Sequence, residues 1–166
     1  IAEGMSAKGF VDCAIGSIRK DSQGREKNGT DYFGSMAIKG KFMNVQNASN
    51  VDINKNTEIQ LLKEMLGLRS GMDYSQDKNF KTLRYGKVWI IADADDDGIH
   101  IRGLLINFFY RMFPSLIERN YIEAFNTAVV KASWGPKKKK KQVLFYSNPD
   151  FARRSENRPA DVPSRI

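Results

Sequence analysis

The sequence is poor in the residues that most often stabilise small secreted or zinc-binding domains. Its 166 residues contain one cysteine, Cys13, and one histidine, His100. A single cysteine cannot form an intramolecular disulfide, and one Cys with one His cannot complete a zinc site. No apolar run approaches the roughly 18 to 20 residues that a membrane-spanning helix needs. These absences exclude a disulfide-stabilised secreted domain, a zinc finger and a membrane-spanning protein, and we expect no membrane partner.

The excess of positive over negative charge is also small outside one segment. The chain has 27 Lys and Arg against 19 Asp and Glu, a net charge of +8, and five of the lysines are consecutive at 137–141. Without that run, 22 basic residues stand against 19 acidic ones, a net charge of +3. The isoelectric point alone is therefore a weak argument for nucleic-acid binding. We interpret residues 136–142 as a Lys-rich, solvated loop.

Apolar segments alternate between strand-like and helix-like spacing along the chain. Ile1-Ala2-Glu3-Gly4 has the pattern of a strand that ends in a tight turn, and Ser6 could cap a helix that follows it. Because the strand would begin upstream, we expect a truncated N-terminal strand and a chain that is part of a larger protein. The polar stretch 19–31 is predicted to be an exposed, mobile loop.

The remaining pattern predicts an α/β domain with a mainly parallel sheet flanked by helices. We expect the domain to span residues 1–152 and to be followed by a poorly ordered tail at 153–166, truncated before the rest of the domain. Cys13 and Trp89 are predicted to be core residues. The expected elements are a strand or hairpin at 36–45, a helix at 58–66 stopped by Gly67, a strand at 88–92 buried on both faces, a helix from His100 that breaks near Pro114, and strands at 128–132 and 143–146.

Four carboxylates follow the apolar run 88–92 directly, in Asp93-Ala94-Asp95-Asp96-Asp97, and Gly98 closes the turn. Functional groups collect at the carboxyl ends of parallel strands. Since alternate side chains of an extended segment point the same way, we expect Asp93, Asp95 and Asp97 to converge while Asp96 faces elsewhere. Three converging carboxylates repel one another unless a cation neutralises them, and such hard oxygen ligands select Mg²⁺, Mn²⁺ or Ca²⁺.

Three other interpretations of the acidic turn are open. The spacing Asp-x-Asp-x-Asp-Gly also matches the start of a calcium-binding EF-hand loop. The twelfth position of such a loop would be Leu104, however, where a bidentate Glu is needed. An Asp-x-Asp phosphatase would follow a buried strand too, although it usually has Thr or Val where Asp97 stands. The turn could also be a simple solvated acidic loop, which gives no reason for acids at alternate positions.

Glu3-Gly4 with Ser6-Ala7, and later Asp93-x-Asp95-x-Asp97-Gly98 after an apolar strand, resemble the TOPRIM domain of type IIA DNA topoisomerases. The resemblance covers residues 1 to about 151 and is closest to the eukaryotic-type enzyme, which large DNA viruses also encode. Its further motifs are Lys39-Gly40-Lys41 with Asn44-Val45, Lys81-Thr82-Leu83-Arg84-Tyr85-Gly86-Lys87, Gly103-Leu104-Leu105-Ile106-Asn107-Phe108, Pro114-Ser115-Leu116, and Phe145-Tyr146-Ser147 with Pro149.

The resemblance implies a Rossmann-like TOPRIM sheet and a role for each acid. Glu3 would be the catalytic general acid/base toward the leaving 3′ oxygen, and it would share a metal ion with Asp93. Asp93 and Asp95 would hold a second metal position, and Asp97 would support it through water or the outer shell. Mg²⁺ is the implied cofactor, with Mn²⁺ or Ca²⁺ able to substitute in binding.

DNA contacts are implied for Lys39, Lys41 and His100. The glycine between the lysines would let the backbone approach a phosphate closely, although both lysines would also suit an ordinary solvated strand edge. His100 is expected at the start of the helix after the acidic turn, where a neutral structural role is an equal alternative. The chain departs from the family at Ala37, Lys39, Met5, Asp96 and Ile99, and none of these departures removes an implied metal ligand.

The function implied is that of the metal-binding part of an ATP-dependent type II DNA topoisomerase, an isomerase that cleaves and religates double-stranded DNA. The nucleophilic tyrosine and the ATPase would lie in other segments, so this chain would be incomplete for activity on its own. The implied partners are double-stranded DNA, the remaining domains and a second copy in a homodimer. The protein would be nuclear in a eukaryotic cell, or viral or in the host cytoplasm, and not secreted. The alternative hypothesis is a TOPRIM domain of a primase-like or nuclease enzyme. A third hypothesis is a degenerate, non-enzymatic module that binds DNA or docks to another subunit.

Overall fold

The structure, a computed structural model, describes residues 1–125, 130–134, 141–146, 149 and 152–153. The chain divides into two compact units, Ile1–Phe125 and Asn126–Ile166. Among the described residues, no helix is both long and apolar enough to cross a membrane. The predicted domain bounds, 1–152 with a tail at 153–166, stay a prediction, since residues 154–166 lie outside the described part of the chain.

A short parallel sheet organises the first unit. Strand β1 (Ala2–Glu3) pairs with β2 (Ala37–Ile38), and β3 (Val88–Ile90) pairs with β4 (Ile122–Ala124), both in parallel. A parallel bridge between Ala2 and Ile91 connects the two pairs, and the Glu3 amide donates to the Ile91 carbonyl at 2.9 Å. The spatial order is therefore β2-β1-β3-β4, with all carboxyl ends at one edge. The predicted α/β class with a parallel sheet is confirmed.

Six helices connect and cover these strands in the first unit. Two of them match the sequence pattern closely: α3 ends at Gly67, whose φ of 75° closes the helix as predicted, and the long α5 ends before Pro114, where α6 begins. The helices are α1 (Gly4–Ser17), α2 (Asn50–Lys55), α3 (Thr57–Leu66), α4 (Asp77–Phe80), α5 (Asp96–Met112) and α6 (Pro114–Glu118), with a 3-10 turn at Gly29–Asp31.

Helix α5 supplies the centre of the hydrophobic core. Its Phe108 ring lies 5.6 Å from Phe42, 5.2 Å from Phe109 and 5.8 Å from Phe113, measured between centroids, in edge-on geometries. Each side chain of this size contributes roughly 1.5–3 kcal/mol when fully buried. The core therefore fixes α5 on the sheet, and with it the acidic turn that precedes the helix. Other buried members of this core are Ile38, Val45, Ile53, Ile59, Leu62, Leu66, Val88, Ile90, Leu105, Leu116 and Tyr121.

The predicted burial of residues 88–92 on both faces is wrong. Val88 and Ile90 are buried, but Trp89 between them is 43% exposed, so it is not a core residue. Its indole Nε1 donates to Glu123 Oε2 at 2.8 Å across the β3–β4 pair, and Lys87 also contacts Glu123. Hydrogen bonds from Lys87 and then Trp89 hold the pKa of Glu123 below its usual range. The apolar run could not reveal that only one face of β3 meets the core.

Helix α1 also differs from expectation. It begins at Gly4 and not after a Ser6 cap, and none of its residues is buried. Cys13, predicted to be a core residue, is exposed. The helical spacing of Phe10 and its neighbours predicts the helix correctly, but spacing cannot tell whether another element covers it; Phe10 is 76% exposed.

The second unit contains an antiparallel pair, β5 (Val130–Trp134) and β6 (Lys141–Phe145), in which Val130 faces Phe145. Strands were predicted here at 128–132 and 143–146, so their existence is confirmed with shifted bounds. Residues 136–140 of the predicted Lys-rich loop lie outside the described residues. The predicted end of that loop is wrong, because Lys141 and Gln142 already belong to β6.

Candidate metal centre

Glu3 and Asp93 meet at the carboxyl ends of adjacent strands. Glu3 is the last residue of β1, and the chain continues from β3 through Ile91 into Asp93. The Glu3 amide donates to the Ile91 carbonyl at 2.9 Å, and the Asp93 amide donates to Glu3 Oε2 at 3.0 Å. Residues 90 positions apart in sequence are thereby placed side by side, as the implied roles of both acids require.

The backbone turns sharply after Glu3 because Gly4 has a φ of +73°, in the left-handed region that favours glycine. Helix α1 therefore starts immediately after β1. Glu3 occupies the N-cap position of α1, yet its side chain makes no capping hydrogen bond there. The carboxylate is instead directed to the Asp93 amide.

Asp95 caps helix α5. Its Oδ1 accepts from the Gly98 amide at 2.8 Å, and α5 begins at Asp96. The extended geometry predicted through Asp97 is therefore wrong, because the helix starts at Asp96, within the acidic turn, so alternation along a strand cannot be what brings Asp97 to the side of Asp93 and Asp95. His100, predicted to open the helix, lies instead in its second turn and is exposed.

Asp97 lies near the loop formed by Lys39, Gly40 and Lys41. Its Oδ1 lies 3.8 Å from Lys41 Nζ, and both side chains are largely exposed. No group of three or more His, Cys, Asp or Glu side chains that could hold a metal ion occurs among the residues that the structure describes. The acids of the turn thus lie at one edge of the sheet with Glu3, while the gathering of Glu3, Asp93, Asp95 and Asp97 around one ion stays a prediction.

The Lys39-Gly40-Lys41 loop follows β2 at the same edge of the sheet. Gly40 has a φ of +75° and open space around it, and both lysines are exposed. The Lys39 amide donates to Glu58 Oε1 at 2.9 Å, so the first turn of α3 anchors the loop. Sequence reasoning missed Glu58, since only the packing of α3 against this loop reveals the contact.

The donor set fits a hard divalent cation. Glu3, Asp93, Asp95 and Asp97 offer only carboxylate oxygens, the ligands that Mg²⁺ prefers, and no thiol or imidazole lies between them in the acidic turn. Asp93, Asp95 and Asp97 are solvent-exposed, so an ion could reach them without moving the core. Lys41 adds positive charge beside Asp97.

A family model described as "Toprim domain" matches residues 1–130. The chain is 43% identical over 152 residues to DNA topoisomerase 2 top-2 of Caenorhabditis elegans, covering 92% of this chain and 9% of that protein. It is 40% identical to human DNA topoisomerase 2-beta, and that match covers 91% of this chain and 8% of the human protein. It is 36% identical to DNA topoisomerase 2 of Invertebrate iridescent virus 6, and that match covers 95% of this chain and 15% of the viral protein.

Among solved structures, the DNA-binding, cleavage and re-ligation domain of Plasmodium falciparum topoisomerase II is similar, with a TM-score of 0.71 and 31% identity. The match covers 96% of this chain and 20% of that one. The chain thus spans a small part of the proteins it matches, and the range matched by the family model includes Glu3 and Asp93. It belongs to the Toprim domain family, in the form found in type II DNA topoisomerases.

Proposed function

We propose that this chain is the metal-binding part of an ATP-dependent type II DNA topoisomerase. Toprim domains of topoisomerases bind divalent metal, and we propose Mg²⁺ as the ion here, with Mn²⁺ or Ca²⁺ able to replace it in binding. Glu3 and Asp93 would hold one position, Asp93 and Asp95 the other, and Asp97 would act through water or the outer shell.

The observation that carries the proposal is the 3.0 Å hydrogen bond from the Asp93 amide to Glu3 Oε2. It fixes one Glu3 oxygen beside the residue that the family resemblance names as its partner in metal binding. Glu3 Oε1 makes no hydrogen bond recorded for the described residues, so it is available to an ion or a proton. A primase-like or nuclease role would use the same acids, but the relatives named above are all topoisomerases.

Each residue has a definite task in DNA cleavage. A tyrosine from another segment would lose its phenolic proton to water as it attacks a backbone phosphate, the bond to the 3′ oxygen would break, and Glu3 would supply the proton that this oxygen needs. In religation Glu3 would take that proton back, and the departing tyrosine oxygen would regain a proton from water. Held by Glu3, Asp93 and Asp95, Mg²⁺ would supply electrostatic stabilisation of the charge that develops on the transferring phosphoryl group. Lys39 and Lys41 contact the DNA backbone, and His100, exposed on α5, is proposed as a further contact.

The remaining parts of the topoisomerase activity require segments outside this chain. We propose that ATP is bound by a domain outside this chain, that the enzyme is a homodimer, and that double-stranded DNA is its substrate. The protein would lie in the nucleus if it is from a eukaryotic cell, and otherwise in a virus or the host cytoplasm. On this proposal the 166-residue chain does not relax supercoiled DNA, and strand passage by the purified chain would contradict it.

Calorimetric titration of Mg²⁺ and Mn²⁺ into the chain tests the metal centre. We expect binding to be lost in Asp93→Asn and to weaken by on the order of tenfold in Glu3→Gln, because each change removes a charged ligand. Asp96→Asn is the matched control, since it removes the same charge from the same turn at a residue with no proposed ligand role.

Two results would count against the proposal. If Asp96→Asn weakened binding as much as Asp93→Asn, the ion would respond to the summed charge of the turn and not to a defined site. If the parent bound no ion even with a nicked duplex present to supply phosphate oxygens, the carboxylates would not form a metal centre.

A further inference from the structure

We propose that Gly98 is the positioning residue of this site: the absence of a side chain there lets the Glu3 carboxylate and the Asp93 backbone lie directly against the first turn of α5. The proposal rests on the proposed function for the purpose of this arrangement. Its geometry is independent of any bound ion.

The space at Gly98 is filled by other groups. A Cβ placed on this residue would lie 2.2 Å from the Asp93 carbonyl oxygen, 2.7 Å from Glu3 Oε2 and 2.9 Å from the Asp93 amide nitrogen. All three distances are shorter than a real Cβ contact, and two of the three atoms belong to the backbone. A side chain at Gly98 must therefore displace the acidic turn, the Glu3 carboxylate, or both.

Backbone conformation does not explain this glycine. Gly98 lies inside α5 and is absent from the glycines with positive φ, so any L residue could adopt its dihedral angles. Glycine is also a poor helix former compared with alanine. Close approach is the remaining physical reason for a glycine here, and the groups that approach are the ones the proposed metal centre needs.

Two hydrogen bonds meet near Gly98, and one of them depends on this close approach. The Gly98 amide donates to Asp95 Oδ1 at 2.8 Å, and the Asp93 amide donates to Glu3 Oε2 at 3.0 Å. The donor and the acceptor of the second bond, the Asp93 amide nitrogen and Glu3 Oε2, are both atoms that a Cβ at Gly98 would push aside, whereas the cap bond uses the Gly98 backbone alone. Gly98 thus fixes the distance between β1, which carries Glu3, and the turn that carries Asp93 and Asp95.

The same helix provides a matched control. Gly103 also lies within α5, and a Cβ there would meet nothing within 4 Å. Gly103→Ala and Gly98→Ala make the same chemical change in the same helix, so any difference between them reports the contacts of Gly98.

The experiment is residue-resolved amide hydrogen exchange of Asp93 in the 166-residue chain without metal, with thermal unfolding measured alongside. In Gly98→Ala we expect the protection of the Asp93 amide to fall by on the order of tenfold. We expect the unfolding midpoint to fall by roughly 4 °C or more. Gly103→Ala should keep the protection and unfold no lower than the parent. Equal stability of the two variants with unchanged Asp93 protection would overturn the proposal.

If Gly98→Ala does not fold, the position has no room for a Cβ. Variants at Glu3 then test whether its carboxylate holds the Asp93 amide. Glu3→Gln keeps an oxygen acceptor and should preserve the Asp93 protection, whereas Glu3→Ala should lose it. Equal protection in both would overturn the proposal, because Glu3 would then not hold the Asp93 amide.

Mg²⁺ titration of the same variants separates this proposal from the proposed function. Loss of Asp93 protection in Gly98→Ala, with no ion binding by the parent, would refute the metal centre and leave the positioning role intact. Ion binding by the parent that Gly98→Ala does not weaken, with unchanged protection, would refute the positioning role alone.

Discussion

Asp95 has two roles that substitution can separate: its side chain caps α5, and its charge belongs to the proposed metal centre. The cap is the 2.8 Å bond from the Gly98 amide to Asp95 Oδ1. Asp95→Ala removes it, which costs about 1 kcal/mol, within a range of roughly 0.5–2. Because α5 carries the centre of the core, loss of the cap lowers the free energy of unfolding of the whole first unit. The unfolding midpoint of a unit of about this size falls by roughly 4 °C for each kcal/mol lost.

Asp95→Asn keeps an oxygen acceptor and is an equally good N-cap, so we expect its stability to stay within about 0.5 kcal/mol of the parent. Its Mg²⁺ affinity should nevertheless fall, because a neutral amide replaces a charged ligand. The assay is urea unfolding of the parent and both variants, paired with calorimetric titration. If Asp95→Ala and Asp95→Asn were equally stable, the capping argument would fail; if Asp95→Asn bound Mg²⁺ like the parent, the ligand role would fail.

Three further predictions concern the core, the sheet and the DNA contact. Leu105→Ala, at a fully buried position of α5, should cost about 2–5 kcal/mol in urea unfolding, whereas Ile106→Ala, at a neighbour that is 39% exposed, should cost far less; equal losses would contradict the assigned core. Hydrogen bonds lower the pKa of Glu123, so its contribution to stability is present above the unfolded pKa near 4.5 and is lost as pH falls through the folded value; Glu123→Gln should reduce the difference in stability between pH 7 and pH 3, and an unchanged difference would refute the assignment. Lys41→Gln in the full-length protein should weaken binding to duplex DNA and reduce the slope of log K against log salt by about 1, whereas Lys55→Gln on α2 should leave that slope unchanged.

The sequence predicts the elements whose pattern is long or clearly terminated. Helix α5 has apolar residues at helical spacing over 17 residues, and α3 ends at a glycine. Helix α2, in contrast, is six residues long and buries only Ile53, so it has no periodicity to detect. Its one local signal is Ser49 with Asp52 three residues later, a capping pattern in which the Asp52 amide donates to the serine at 3.1 Å.

Burial was harder to predict than secondary structure. Trp89 lies in an apolar run and Cys13 in a helix with apolar residues at helical spacing, yet both are exposed, because exposure depends on which faces other elements cover. Strand β4 has three residues, one of them Glu123, and its pattern is too short to stand out. In each case the missing information is tertiary.

In the candidate site, too, local features could be predicted from the sequence and contacts between distant elements could not. The acidic turn is visible in sequence because its charges follow an apolar run, but nothing in the spacing connects it to Glu3, 90 positions earlier. That connection came from the resemblance to the topoisomerase family, and the structure places the two residues in contact. The contacts of Gly98 and Glu58 could not be predicted, since both depend on how close separate elements approach.

The most direct test of the central claim, that Glu3 and Asp93 form one metal centre, is paramagnetic broadening of backbone amide signals by Mn²⁺ in the 166-residue chain. We expect the signals of Glu3, Gly4 and Asp93 to broaden first, excess Mg²⁺ to restore them, and Asp93→Asn to abolish the effect. Broadening centred on another acidic stretch, such as Asp73 to Asp77, or spread evenly over the acidic surface, would contradict it.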